Sequence, residues 1–117
     1  MTADRDVQSL RDMLEYSRLT QRLIRGKTRA EIDADEVVHL ALRKALEIVG
    51  EAARRLSGDL RERHPHIPWV DIIGMRNWLT HRYDAIDPDA VWQALHGDVP
   101  ALILDLEHIL EAEAPSA

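Results

Sequence analysis

Apolar residues recur at intervals of three and four along most of this chain, and this spacing favours helices over strands. Val, Ile and Thr show no alternation with a period of two, Phe is absent, and the helix formers Ala, Leu, Glu and Arg dominate. A chain of 117 residues has room for about one hydrophobic core. We therefore expect a single all-α domain over residues 1–117, with a frayed tail over 113–117.

Four blocks with this spacing predict the main helices of an antiparallel four-helix bundle. Their approximate predicted bounds are Asp4–Ile24, Asp33–Leu56, Pro68–Tyr83 and Pro100–Glu113. An additional short helix is predicted between the last two, because Asp87 suits an N-cap and Pro88 suits the first helical position. Short links between the helices favour the antiparallel arrangement.

Glycine, proline and capping residues predict where these helices begin and end. Gly26 is expected to turn the chain after the first helix. Glu36 lies three residues after Asp33, which is the spacing of a capping box at the start of the second helix. The polar segment 60–67 predicts a connector, and residues 97–100, Gly-Asp-Val-Pro, predict a break before the last helix.

The composition excludes several classes of protein. Without cysteine the chain has no disulfide, zinc ribbon, iron–sulfur cluster or catalytic thiol. No apolar run approaches the ~20 residues of a membrane helix. The first residues also lack the apolar stretch of a secretory signal. We therefore expect a cytoplasmic protein that has no membrane partner.

Charge is divided unevenly along a chain whose net charge is −6. Residues 1–42 carry a net charge of −1, residues 43–82 carry +3 and residues 83–117 carry −8. We therefore do not expect the whole surface of the protein to be basic and to bind polyanions. The middle segment can still form a local basic surface.

Candidate functional residues are most concentrated in the octet of residues 76–83, Arg-Asn-Trp-Leu-Thr-His-Arg-Tyr. On a helix Asn77 and His81 share one face, and Arg76 shares a face with Tyr83. Arg76 and His81 point about 140° apart, so a facing helix from a second subunit would bring them together more easily. A histidine exchanges protons near pH 7, and an arginine offers a permanent planar charge to a phosphate. The alternative is a polar helix stripe with a capping Asn and an interfacial Tyr.

The octet resembles the HEPN family, specifically the HepT-type toxins of bacterial and archaeal HEPN–MNT toxin–antitoxin pairs. The run Ile48–Leu56 is similar to the second-helix segment of that group, and Met75 and the segment Asp87–Trp92 also fit. The similarity covers about residues 5–110. It implies a HEPN-like homodimer that cleaves RNA as a metal-independent endoribonuclease without a cofactor, as the toxin of a type VII-like system.

The resemblance also implies a role for each residue of the octet. Arg76 and His81 would be the catalytic pair, and Asn77 would hold the site in shape. Tyr83 would lie at the edge of the site, where a cognate minimal nucleotidyltransferase (MNT) antitoxin transfers AMP from ATP to it. RNA supplies its own nucleophile, the 2′-OH, so cleavage needs a proton acceptor and a cation, which His81 and Arg76 provide.

Glu51 is a further candidate, because it follows Gly50 in the middle of the second helix. A partly buried carboxylate at this position could tether Arg76 as a supporting residue. An exposed Glu on an Ala-rich helix is the alternative. Trp78 and Trp92 are expected in the core or at a dimer interface, where such side chains are enriched.

Other functions remain open on the sequence alone. The bundle could be a non-catalytic helical dimer that binds a nucleotidyltransferase partner or a nucleotide, or a purely structural dimer. Two acid–histidine pairs, Glu36–His39 and Asp105–His108, have the spacing found in dimetal bundles. Such a site needs two Glu-x-x-His pairs and two further Glu, so we expect no metal. The segment His64-Pro65-His66 is expected to be a solvated loop.

Overall fold

The computed structural model is helical throughout the long segments of the chain. It describes residues 3–81 and 87–114, with the side chains of 77–81 outside that description. The helices are α1 (Asp4–Ile24), α2 (Arg29–Ala34), α3 (Glu36–Arg55), α4 (Gly58–Arg63), α5 (Trp69–His81), α6 (Pro88–Gln93) and α7 (Val99–Glu113), with a π-helical turn at Ala94–Asp98. The predicted all-α, HEPN-like bundle is confirmed, with α1, α3, α5 and α7 as its long helices.

Contacts at both ends of α1 show that it runs antiparallel to α3. At one end, the buried carboxylate of Asp6 accepts hydrogen bonds from the backbone N–H and the hydroxyl of Ser57, at 2.9 and 2.6 Å. At the other end, Ile24 packs in one cluster with Val38 at the start of α3. α3 thereby spans the bundle beside α1, and it also packs against α5.

α7 packs on the other side of α1, also in the antiparallel direction. Arg18 forms an ion pair of 2.9 Å with Glu107. One turn further along α1, Gln21 donates a hydrogen bond of 2.8 Å to the carbonyl of Leu95, just before α7. Around the bundle the long helices therefore follow in the order α5, α3, α1, α7, and α5 and α7 line a groove on the remaining side.

Buried apolar side chains form two clusters along the bundle. One joins the first half of α1 to the second half of α3, α4, the start of α5 and α7, and the other joins the end of α1 to α2, the first half of α3, the π-helical turn and the start of α7. Full burial of a Leu, Val or Ile side chain stabilises the fold by roughly 1.5–3 kcal/mol. Among the described helices, none is both long and apolar enough to cross a membrane.

The start of the second long helix differs from the prediction. Thr28 caps α2 and forms a capping box with Glu31, each side chain accepting from the other residue's backbone N–H. Asp33 lies inside α2, and Asp35 caps α3 by accepting from Val38 N–H at 3.1 Å. Thr28 and Asp33 are each followed by a Glu three residues later, so the sequence contains two neighbouring capping signals. The turn after α1 leaves room for the short helix α2 before α3 begins.

The polar segment after α3 is not a simple connector. Residues 58–63 form α4, and Ser57 caps this helix by accepting from the N–H of Leu60 at 3.2 Å. Leu60 is completely buried, so a single leucine anchors an otherwise polar helix to the core. The expectation of a connector failed because one apolar residue in a short segment gives no periodic signal.

The expected break at residues 97–100 is also absent. Residues 94–98 form a π-helical turn, in which the N–H of Val99 donates to the carbonyl of Ala94 five residues earlier. The chain stays helical from α6 into α7. Pro100 lacks an N–H and would crowd a regular α-helix. It lies within the first two positions of α7, directly after the π-helical turn.

Other boundaries agree with the prediction. α1 spans Asp4–Ile24 as expected, and Gly26 turns the chain with a φ of +73°. Asp87 caps α6, with Pro88 at its first position. The predicted end of the third helix at Tyr83 lies outside the described residues, as does the tail beyond residue 114.

Candidate active site

α3 and α5 cross at Gly50, where their backbones nearly touch. A Cβ atom at position 50 would lie 2.2 Å from the Cβ of Arg76 and 3.0 Å from the carbonyl oxygen of Ile72. The Cα of Arg76 would be 3.1 Å away, so any side chain here would push α5 as a whole. Glycine at this position therefore lets α5 set Arg76 directly against α3.

Glu51, the next residue of α3, carries a carboxylate that faces Arg76. Its Oε2 lies 3.0 Å from the Nε of Arg76, and the side chains of Glu51 and Arg76 are only 22% and 26% exposed. Burial reduces the screening of such a pair by water. The Glu51 carboxylate therefore fixes the position of the Arg76 guanidinium on α5.

Two further arginines of α3 converge on the same carboxylate. Arg54 donates to both oxygens of Glu51, from Nη2 at 2.7 Å and from Nε at 3.2 Å. The Nε of Arg55 lies 3.6 Å from Oε1. Hydrogen bonding from Arg54 lowers the pKa of Glu51 below its ordinary value; partial burial opposes this shift, and the charges of Arg54, Arg76 and Arg55 reinforce it. Glu51 is therefore ionised at neutral pH and is shared by three guanidinium groups.

The structure describes some of the predicted site residues fully, and of others it describes only the backbone or nothing. Arg76, Asn77 and His81 all lie on α5, whose helical backbone continues to His81. The side chains of Asn77, Trp78 and His81, and the whole of Tyr83, lie outside the described residues. The described part of the site is therefore Arg76 together with the residues of α3 that surround it.

The acid–histidine pairs do not come together as a metal site. Within 3–81 and 87–114, no group of three or more His, Asp or Glu side chains could hold a metal ion. The loop at His64 is less solvated than expected. The Nε2 of His64 lies 3.1 Å from Oε1 of Glu113, and Arg63 pairs with the same carboxylate. The backbone carbonyl of His64 accepts a hydrogen bond of 2.9 Å from the indole N–H of Trp69.

Two further predictions, on the carboxyl-terminal segment at Glu113 and on Trp92, can be compared with the structure. The last helix ends at Glu113, as predicted, and the side chain of this first residue of the expected tail is only 12% exposed. Trp92 is partly buried rather than a central core residue. Its ring stacks on His96 with centroids 4.0 Å apart, and the guanidinium of Arg29 lies over it at 5.6 Å.

The sequence analysis missed Gly50 as a packing residue, and it missed the neighbouring pair Arg54 and Arg55. Both signals were present in the sequence. A glycine inside a helix costs about 1 kcal/mol relative to alanine, so its presence there indicates a packing requirement. Arg54 and Arg55 follow Glu51 by three and four residues, the spacings at which opposite charges pair on a helix.

Comparison with known proteins gives matches over most of the chain. The family model described as "Ribonuclease HepT-like" matches residues 13–109. "Putative RNase MJ1380" of Methanocaldococcus jannaschii is 35% identical over 104 residues, which is 88% of this chain and 95% of that protein. "Probable ribonuclease HepT" of Thermococcus cleftensis is 32% identical over 93 residues, or 80% and 84% of the two chains. No solved structure matches significantly.

Proposed function

Because the chain belongs to the family of HepT-like ribonucleases, we propose that it is an endoribonuclease that cleaves RNA without a metal ion. The observation that carries this proposal is the ion pair that holds Arg76 against Glu51. Arg76 lies five residues before His81 on α5, so one helix supplies both a fixed cation and a group that exchanges protons. In this proposal the chain is the toxin of a HEPN–MNT pair.

The proposed reaction uses the 2′-OH of RNA as the nucleophile. His81 accepts the proton of the 2′-OH, the 2′ oxygen bonds to the neighbouring phosphorus, and the bond to the 5′ oxygen breaks. A protonated His81 gives the leaving oxygen its proton. Arg76 neutralises the charge that builds up on the phosphoryl oxygens, while Asn77, one turn before His81, holds the site in shape. The products carry a 2′,3′-cyclic phosphate and a 5′-OH.

We further propose that the enzyme is a homodimer whose two α5 helices share one cleft. Side chains five residues apart diverge by about 140° on a helix, so Arg76 of one copy reaches His81 of the other more easily. Trp69 and Ile72 are buried in the core, whereas Val70 between them is 83% exposed. A contact between the α5 helices of two subunits would cover Val70.

The test of this function is RNA cleavage by the purified protein in excess EDTA. We expect cleavage at the same rate with and without the chelator, since Arg76 and His81 supply the charge and the proton transfer. Analysis of the fragment ends should show 2′,3′-cyclic phosphate and 5′-OH. Cleavage that stops in EDTA and returns with a divalent cation would contradict the metal-free mechanism.

We propose that the cognate nucleotidyltransferase antitoxin silences the enzyme by transferring AMP to Tyr83. The sequence predicts a helix that continues to Tyr83, and on such a helix a spacing of seven residues puts Arg76 and Tyr83 on one face. The segment after it holds Asp84, Asp87 and Asp89 and no basic residue. An AMP phosphate beside Arg76 would occupy the place of the RNA phosphate and pair with its guanidinium.

Co-expression with the cognate partner tests this silencing. We expect intact-mass analysis to show one or more added AMP groups on the wild-type protein and none on Tyr83→Phe. The Tyr83→Phe protein should keep its ribonuclease activity in the presence of the partner. AMP additions that persist on Tyr83→Phe would place the modification elsewhere. Silencing of that variant without any added mass would mean that binding alone inhibits the enzyme.

A further inference from the structure

Positive charge is concentrated around Glu51 in a chain that is acidic overall. Three guanidinium groups and one carboxylate make contact there and sum to +2, whereas the whole chain carries −6. The groove beside Arg55 also holds Asp12, Lys44 and Glu47, so the surroundings as a whole carry +1. Arg54 and Arg55 are 55% and 57% exposed, and Arg76 is 26% exposed. The cluster therefore has one inner cation and two outer cations facing solvent.

The three cations are close enough to bind one short stretch of a polyanion. The Nε atoms of Arg54 and Arg76 contact the same oxygen of Glu51, at 3.2 and 3.0 Å, so they lie at most about 6 Å apart. Arg55 lies against the other oxygen at 3.6 Å. A guanidinium carries five N–H donors. Arg54 uses two of them on Glu51, so it can bind a phosphate while it keeps this pair.

We propose that Arg54 and Arg55 form a phosphate-binding subsite that takes the RNA backbone next to the phosphate bound by Arg76. This inference rests on the proposed ribonuclease function and extends the site from one phosphate to a short stretch of strand. Arginine binds phosphate oxygens in pairs, which fixes the strand in register as well as attracting it. The subsite sets substrate affinity, and Arg76 with His81 performs the chemistry.

The structure offers a control pair that removes the same charge elsewhere. Arg22 and Arg25 are exposed at the end of α1, which packs beside the start of α3, whereas Arg54 and Arg55 lie at its other end. The variants Arg54→Gln/Arg55→Gln and Arg22→Gln/Arg25→Gln each make the net charge more negative by two. A difference between them therefore reports the position of the charge and not its amount.

The test measures binding of fluorescein-labelled single-stranded RNA by anisotropy at a series of KCl concentrations. Both pairs are placed in a His81→Ala background so that the RNA stays intact, and circular dichroism checks their folding. Each phosphate contact contributes about 0.7 to the slope of log affinity against log salt concentration on a single strand. We expect the Arg54/Arg55 pair to lower that slope by about 1.4 and to weaken binding at low salt at least tenfold. Equal slopes and affinities for the two pairs would overturn the subsite.

Cleavage assays separate this inference from the proposed function. With His81 intact, Arg55→Gln should raise KM for a long oligonucleotide several-fold with little change in kcat, and should raise KM much less for a dinucleotide, which has one internucleotide phosphate. If the wild-type protein cuts no RNA, the proposed function fails, and the salt slopes still decide whether the subsite binds phosphate. If it cuts RNA while Arg55→Gln has an unchanged KM for the long substrate, the subsite alone fails.

Discussion

We expect Arg76→Ala to lower kcat for RNA cleavage by on the order of a hundred- to a thousand-fold and His81→Ala to abolish cleavage. Loss of one preorganised group that stabilises transition-state charge has an effect of this size in other enzymes. The effect should fall on kcat, because the role proposed for Arg76 is to neutralise charge that is greatest in the transition state. Single-turnover cleavage of a defined oligonucleotide measures the loss, and circular dichroism shows whether each variant is folded.

Two further variants show whether Arg76 acts through its own charge. Arg18→Ala also removes an arginine from an ion pair, with Glu107 across α1 and α7, and should cleave RNA like the wild type. Glu51→Gln keeps the shape of the side chain that positions Arg76 but removes its charge, so activity should fall less than in Arg76→Ala. Full activity in Arg76→Ala would refute the assignment of this residue to catalysis.

We expect Gly50→Ala to destabilise the protein by about 2 kcal/mol and to remove most of its activity. The new methyl group would lie 2.2 Å from the Cβ of Arg76, so α3 and α5 must separate. Overpacking of this kind costs typically 1–3 kcal/mol, and a contact this short belongs at the upper end. The better helix propensity of alanine offsets only about 1 kcal/mol. Because the same movement withdraws Glu51 from Arg76, catalysis suffers together with stability.

Gly74→Ala is the matched control, since Gly74 is also helical but has open space around its Cβ position. There the helix propensity acts alone, and the substitution should stabilise the protein by up to about 1 kcal/mol. Urea denaturation of both variants measures the two free energies of unfolding. If Gly50→Ala were as stable as Gly74→Ala, the close crossing of α3 and α5 would not be needed for the fold.

Periodicity predicted the long helices well because each of them buries an apolar stripe along many turns. α1 has the predicted bounds, and Asp87 and Gly26 perform the predicted cap and turn. Short elements were less predictable. Leu60 anchors α4 alone, and the choice between Thr28 and Asp33 as a cap depends on how the chain leaves Gly26.

The candidate site was predictable to the extent that it depends on local sequence. The octet drew attention to Arg76, and the position of Glu51 after Gly50 suggested a contact between two helices. The distance between Gly50 and Arg76 was not predictable, because it depends on how α3 crosses α5. Nor did sequence spacing show that Arg54, Arg55 and Arg76 share one carboxylate, since Arg76 comes from a different helix.

The hydrogen bonds between Asp6 and Ser57 join segments that are 51 residues apart in the chain. Ser57 caps α4, so the carboxylate that steadies this cap belongs to the first turn of α1. A terminal turn is usually the part of a domain that tolerates trimming best. In this protein, removal of the first turn of α1 would take away the carboxylate that holds the cap of α4, 51 residues later in the chain. A shortened or fused version of the chain therefore has to preserve this turn.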